Sequence, residues 1–459
     1  MFRKKPKEYR LIPERKEGLI QNPTKLIVLS FAAIILTGAV LLSLPFSSRE
    51  GSFTPFLNAL FTATSATCVT GLVTYDTYTH FSTFGQCVII SMIQLGGLGL
   101  VTLTSFFYVA VGKKMGFRSA HLARESMGSD ERTDTRQLLK MIIATTFVTE
   151  LIGALLMLPL FMPEYGNYGI FMAVFFAISA YCNAGFDLLG IVEPGSSMIT
   201  AQGNAPLLLI VMLLIVSGGL GFIVWQDLFL YHRRKKLMFH TKIVLVTTAV
   251  LIAGGALSFL LLEWNNTMKD LSFPEKILNA FFQSVTCRTA GFDSLGQGEL
   301  TGLSKILSIF LMFIGAAPGS TGGGVKLTSF VVLVMTVLSA VRSEDETVIA
   351  GRRIEKTAVY RSFTVAVLGG LLACAAAVVL IASDGANELD AVFEAMSAFS
   401  TAGLSAGPTA NAGFISKCVL ILTMFAGRVG PVALIISLSM KESSSSRGKV
   451  LPEGRIWVG

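Results

Sequence analysis

Four short strings decide how this chain is read: SATCVTGL at residues 65–72, SAYCNAGF at 179–186, SVTCRTAGF at 284–292 and SAFSTAGL at 397–404. Their glycines, Gly71, Gly185, Gly291 and Gly403, lie 114, 106 and 112 residues apart, a near-constant period that marks an internal repeat. Each string closes a short apolar segment, at 53–66, 168–181, 273–286 and 388–399. These segments are too short to cross a bilayer core of roughly 30 Å, which suits a re-entrant half-helix. Longer apolar runs flank them, at 26–45, 82–112, 138–161, 204–231, 242–263, 304–341, 358–382 and 415–440. The pattern predicts an all-α membrane protein of eight transmembrane helices and four re-entrant pore half-helices. The unit of span, half-helix, glycine loop and span is written four times, which predicts pseudo-four-fold symmetry. Its expected boundaries are a basic N-terminus at 1–25, repeats at 26–112, 113–231, 232–341 and 342–440, and a tail at 441–459.

Composition points the same way. Of 459 residues, 52% are hydrophobic and 14% are charged, with a mean hydropathy of +0.66. An ordinary soluble domain carries roughly 25% charged residues, so a conventional cytosolic enzyme is excluded. No nucleotide-binding loop, catalytic carboxylate pair or nucleophile–base arrangement stands in the chain, and no enzyme activity is expected. The cysteines form no C-x-x-C pair and the histidines no ligand spacing, so neither a disulfide framework nor a zinc site is expected. The basic start followed by an apolar run reads as a first membrane span rather than a cleavable signal. Of the 37 Lys and Arg residues, 29 fall in 1–25, 112–140, 231–242, 341–361 and 441–459. The positive-inside rule then makes both termini cytoplasmic and opens the glycine loops outward. The net charge of +8 is thus a topology signal, with membrane lipid and no nucleic acid as its expected partner.

Irregular backbone at membrane depth survives only where protein buries it or water lines it. A glycine can take positive φ without a Cβ penalty, which lets neighbouring carbonyls turn inward. Four such loops make an oxygen ring able to replace the hydration shell of a cation. The expected ion-binding residues are Thr70 and Gly71, Ala184 and Gly185, Ala290 and Gly291, and Ala402 and Gly403. The half-helices aim their partially negative C-termini at the same axis. Asp76, Asp187 and Asp293 follow three of the loops and would concentrate cations at the pore entrance, or serve as local end caps. Arg288, inside the third loop, is expected to brace it from behind. The residues together point to a cation pore.

With those strings in hand, the chain resembles the Trk/Ktr/HKT superfamily of potassium transporters, and within it the KtrB-type membrane subunit of bacterial Ktr systems. The likeness runs from about residue 20 to 440. It implies that Gly71, Gly185, Gly291 and Gly403 line a selectivity filter for potassium ion, the substrate. No covalently bound cofactor and no metal beyond potassium in the filter is implied, and sodium activation is left open. The resemblance also implies a homodimer in the plasma membrane, seated on a cytoplasmic ring of regulatory nucleotide-binding subunits. The alternative is a sodium-permeable or weakly selective transporter on the same fold.

The stretch GAAPGSTGGGVK at 315–326 interrupts the sixth apolar run. Interior glycines cost a helix about 1 kcal/mol each and proline about 3, so no regular helix is expected there. In the resembling family the matching stretch is an intramembrane gate. That role carries over to 315–325 and its flanks: Gly315, Gly319, Ser320, Thr321, Gly322, Gly323, Gly324 and Lys326, the competing reading being a simple hinge. Arg428, in the last apolar run, is costly at mid-membrane. The resemblance makes it a positive barrier below the filter; the competing reading is a structural ion pair with Glu150 or Asp227. The glycines of GGLGL at 96–100 and GGLGF at 218–222 are expected to let the helices approach closely or flex, with packing the main account.

Overall fold

The computed structural model describes residues 23–99, 135–344 and 346–430. The expected N-terminal segment up to residue 22, the end of the predicted span 82–112 from residue 100 with the connection up to 134, the end of the predicted span 415–440 from residue 431, and the tail at 441–459 lie outside the described residues.

Helices dominate. In the first repeat, α1 (Pro23–Ser43) leads to a short α2 (Phe56–Cys68), a single turn α3 (Thr77–His80) and α4 (Thr83–Leu98). The second has α5 (Thr135–Tyr165), α6 (Asn167–Cys182), α7 (Ala205–Gly219) and α8 (Phe222–Arg234). The third has α9 (Phe239–Glu263), α10 (Phe273–Thr286), α11 (Gly302–Phe313) and α12 (Leu327–Val341). The fourth has α13 (Lys356–Asp384), α14 (Glu388–Ser400) and α15 (Phe414–Val429). Local chemistry sets several starts. Ser82, Asn204 and Thr301 each accept a bond from a first-turn N–H of α4, α7 and α11, while Ser272 and Glu275 close a capping box on α10.

The short helices α2, α6, α10 and α14 form the centre. Phe61, Phe176, Phe282, Phe393 and Phe399 on them are fully buried. The peripheral helices are inverted relative to a soluble protein: Leu213 is 69% exposed, Leu261 71% and Phe414 72%. Such an apolar exterior around a buried centre suits a lipid surround. Lys305 bonds Asp390 at 2.6 Å, tying α11 to α14.

Two details go beyond the expected architecture. The run at 204–231 is not one straight helix, because α7 and α8 meet at 94°. The break falls at Leu220–Gly221, where Gly221 has φ +87°, a region from which Cβ bars most residues. Likewise α4 ends at Gly99 with φ +77° and α15 at Gly430 with φ +96°. Among the described residues, three helices are long and apolar enough to cross a membrane, or four if the bent pair counts as one. The all-α expectation also missed a small hairpin, β1 (Val348–Ile349) antiparallel to β2 (Arg352–Arg353), in the connection before α13.

Candidate functional site

The four glycine loops meet. The half-helices α2, α6 and α14 stop at Val69, Asn183 and Thr401, each left-handed with φ near +57°, +60° and +53°. In the third repeat the left-handed residue is Thr289, with φ +68°, because this loop carries one more residue. Two residues further on, Gly71, Gly185, Gly291 and Gly403 have φ of +98°, +69°, +80° and +81°. In each repeat one residue therefore sits between two left-handed ones: Thr70, Ala184, Ala290 or Ala402.

The carbonyl oxygens of those four residues close a ring. A Cβ on Gly71 would stand 2.7 Å from the Ala184 oxygen, one on Gly185 2.8 Å from that of Ala290, and one on Gly291 2.9 Å from that of Ala402. A Cβ on Gly403 would overlap the Thr70 oxygen. Each glycine thus faces the carbonyl of the next repeat, and the last faces the first. Hydroxyls brace the loops from behind. Ser65 Oγ accepts from Gly71 N at 3.1 Å, Ser179 Oγ from Phe186 N at 3.1 Å, and Thr286 Oγ1 from Phe292 N at 3.0 Å.

Outside the ring lies a vestibule of about 260 Å³, lined by all four glycines together with Asp76, Asp187, Asp293 and Ser405. The three carboxylates predicted to stand at the entrance are therefore together at one mouth. Asp76 also does local work: it caps α3 through Tyr78 N and Thr79 N, and accepts from Gly195 N at 3.1 Å. Asp187 accepts from Leu189 N at 2.9 Å. Burial pushes the Asp187 carboxyl up to about 6; the Leu189 N–H opposes the rise and Asp76 adds to it. Burial also lifts Asp293 well above the usual carboxylate range, with the charges of Asp187 and Glu394 acting in the same direction.

Beneath the ring, residues 315–326 leave α11 and cross to α12 without a helix. Gly315 N bonds Val325 O at 2.8 Å, closing the segment into a narrow loop. Ala317 N reaches Gly219 O at 3.1 Å, and Phe222 N reaches Gly319 O at 2.9 Å, so the loop fills the break between α7 and α8. Thr321 Oγ1 donates to Tyr181 O at 3.3 Å, at the end of the second half-helix. A Cβ on Gly322 would meet Thr289, one on Gly323 Thr401, and one on Gly324 Ser400. The segment is thus pressed against the inner ends of the second, third and fourth loops. Ser320 Oγ donates to Ala317 O at 2.6 Å and Lys326 Nζ to Gly322 O at 2.6 Å, both within the segment.

Arg428 ties this segment to the first repeat. Its guanidinium donates to Thr321 O and, at 2.6 Å, to Gly96 O. Neither Glu150 nor Asp227 pairs with it: Glu150 accepts from Gln94 Nε2 at 3.0 Å, and Asp227 from Met238 N at 2.7 Å. Arg288 lies away from the vestibule, 8% exposed, with Thr248 Oγ1 3.5 Å from its guanidinium.

Sequence reasoning missed one structural carboxylate at the mouth. Glu394, fully buried on α14, accepts from Ser405 Oγ at 2.9 Å, from Ala406 N at 3.3 Å and from Thr409 Oγ1, holding the chain that follows Gly403. The signal was there, an acid inside the apolar segment 388–399, but it precedes its loop rather than following it.

A family model described as TrkH, cation transport protein, matches residues 13–449. The chain is 38% identical over 444 residues to the potassium/sodium uptake protein NtpJ of Enterococcus hirae, covering 95% of this chain and 97% of that one. It is 36% identical over 441 residues to the Ktr system potassium uptake protein B of Bacillus subtilis, with coverage of 95% and 97%. Among solved structures it resembles the potassium transporter TrkH of Vibrio parahaemolyticus, with a TM-score of 0.70 at 18% identity over 93% of this chain and 87% of that one.

Proposed function

The chain belongs to the TrkH family of cation transport proteins, a membrane transporter and not an enzyme, and from that premise we propose that it is the potassium-translocating subunit of a potassium uptake system. Eight spans and four half-helices would surround one axis with pseudo-four-fold symmetry, the mouth facing outward and both termini cytoplasmic. Potassium gathers at Asp76, Asp187 and Asp293, loses water to the carbonyls of Thr70, Ala184, Ala290 and Ala402 with their glycines, and descends to the 315–325 loop. That loop, pinned by Arg428, is the gate. The membrane potential drives the ion inward with about 2.3 kcal/mol per charge per 100 mV. The observation that carries this reading is the closed ring in which each glycine faces the carbonyl of the next repeat. A relative named as protein B of a Ktr system supports an assembly; the proposed partners are a second copy of the chain and a cytoplasmic ring of nucleotide-binding subunits.

A second reading, sodium permeation on the same frame, is favoured by the printed name of the Enterococcus relative, which includes sodium. Both are tested by potassium uptake, with sodium as competitor, in a strain lacking its own uptake systems. The intact chain should restore growth on low potassium, Gly291→Ser should lose selectivity, and deletion of 317–323 should leak. Equal sodium and potassium uptake by the intact chain supports the second reading. Unchanged uptake and selectivity in Gly291→Ser removes the filter assignment.

A further inference from the structure

Between α7, α9 and α10 runs a groove of about 550 Å³ on the outside of the protein. Its walls include Leu209, Leu213 and Val216 of α7, Ile252 of α9, and Phe281 and Val285 of α10. The one ionisable residue at its edge, Glu275, stands at the outer end, in the first turn of α10. The groove opens onto the apolar exterior, where Leu213 is 69% exposed and Leu261 of the adjoining α9 is 71% exposed. In a membrane protein that exterior is covered by lipid, and the groove is continuous with it.

We propose that this groove binds one acyl chain of an outer-leaflet lipid. The assignment rests on the outward orientation of the glycine loops given above. Three properties choose the occupant. The floor offers an acyl chain apolar contact along its length and offers a headgroup almost no partner. From Ala205 to Val216 the groove follows α7 for about 16 Å at the α-helical rise, close to half of a bilayer core of roughly 30 Å. Its polar end lies at the surface and its apolar end at mid-depth, the polarity of a lipid in that leaflet.

The inner end gives the site its consequence. Val216, Ile252 and Val285 also wall a cavity of about 10 Å³ on their protein side, reached by Arg288, Asn183, Gly219 and Ala316. That volume holds about one water. Arg288 there is 8% exposed and its Nε has no partner. Three side chains therefore separate the lipid tail from the back of the third loop and from both helix breaks next to the gate. A seated tail packs these side chains from outside, and an empty groove leaves them without contacts on that face.

The test uses the full chain in liposomes containing a phospholipid with a diazirine at the end of one acyl chain. After photolysis, labelled peptides are mapped and potassium uptake is read in the same vesicles. Label should concentrate on the peptides holding Val216, Ile252 and Val285. Filling the groove with Leu209→Trp and Leu213→Trp should cause a several-fold loss there, while labelling of α13 stays unchanged and reports an intact fold. Even labelling around the perimeter overturns the site, as does label indifferent to the tryptophans. Disulfide capture of a second copy through Leu213→Cys overturns it too, since a protomer then covers the groove. Uptake by the intact chain separates the two claims: no label in the groove with normal uptake removes only the lipid site, and label in the groove without uptake removes only the transport reading.

Discussion

At each of the four crossing points a side chain is excluded twice, by conformation and by space. Gly71→Ala would hold an L-residue at φ +98° and aim its methyl 2.7 Å from the Ala184 oxygen. The conformation alone costs roughly 1–2 kcal/mol, and the collision displaces a carbonyl of the ring. Potassium uptake by this variant should fall at least tenfold, on the order expected for losing about 1.4 kcal/mol at one step, with discrimination against sodium weakened in a competition assay. Gly254 is the matching control, a helical glycine with nothing within 4 Å of its missing Cβ. Gly254→Ala should leave uptake unchanged and stabilise the protein by about 0.5–1 kcal/mol, visible as a higher Tm. Asp187 supplies a pH handle. Burial pushes its carboxyl up to about 6, so it should be mostly charged at pH 7 and mostly neutral at pH 5. The vestibule therefore loses negative charge as external pH falls through 6, and uptake at low potassium should fall with it. Asp187→Asn should flatten that step; a profile identical to the wild type would assign the charge effect to another group. These residues were legible because glycine and aspartate recur beside a repeated string. Glu394 was not, since its partners Ser405, Ala406 and Thr409 are brought to it only by the turn after Gly403.

At the scale of elements, the short segments were legible to within a few residues, because a run too short to span and ending in a small-residue string has few other uses. The breaks in the second helices were less so. The sequence allows the glycines of GGLGL and GGLGF either close approach or flexing, and Gly96 and Gly218 lie against the carbonyls of Thr67 and Tyr181 at the ends of α2 and α6. Gly427 lies the same way against Phe399 O. The added fact is that Gly99, Gly221 and Gly430, three residues on, take positive φ and end or bend the helix. A glycine placed to pack and a glycine placed to break look alike in sequence; only the carbonyl opposite or the φ tells them apart. Arg428 was legible as an anomaly and not as a staple, since its partners are backbone oxygens of Thr321 and Gly96. Arg428→Gln should release the loop from the first repeat and raise cation leak through liposomes, an effect a mere barrier of charge would share. Arg428→Lys separates the two: it keeps the charge but has one nitrogen in place of the two that reach Thr321 O and Gly96 O, and should leak as well if the staple matters.

For the whole molecule, the charge asymmetry makes a directional claim. In a cysteine-free background, Glu193→Cys should react with a membrane-impermeant thiol reagent in intact cells, and Lys236→Cys only after permeabilisation; both positions are exposed. The reverse pattern would invert the protein and turn its vestibule to the cytoplasm. The recurrence of the four glycine strings is read from the sequence alone, because it is a period and needs no knowledge of packing. What the period could not convey is that the ring closes from the last repeat to the first, with Gly403 set against the Thr70 carbonyl. That closure has a consequence for biosynthesis. Gly403 is added 332 residues after Gly71, roughly 20–70 s later at ordinary elongation rates. On the proposed reading, the nascent chain carries three quarters of the carbonyl ring throughout that interval and no complete one. On that reading, a ribosome stalled before residue 342 leaves behind a chain without the closed ring. The last quarter to be made is also the one that brings Arg428, so the closure of the ring and the side chain that holds the 315–326 segment arrive within the same 26 residues.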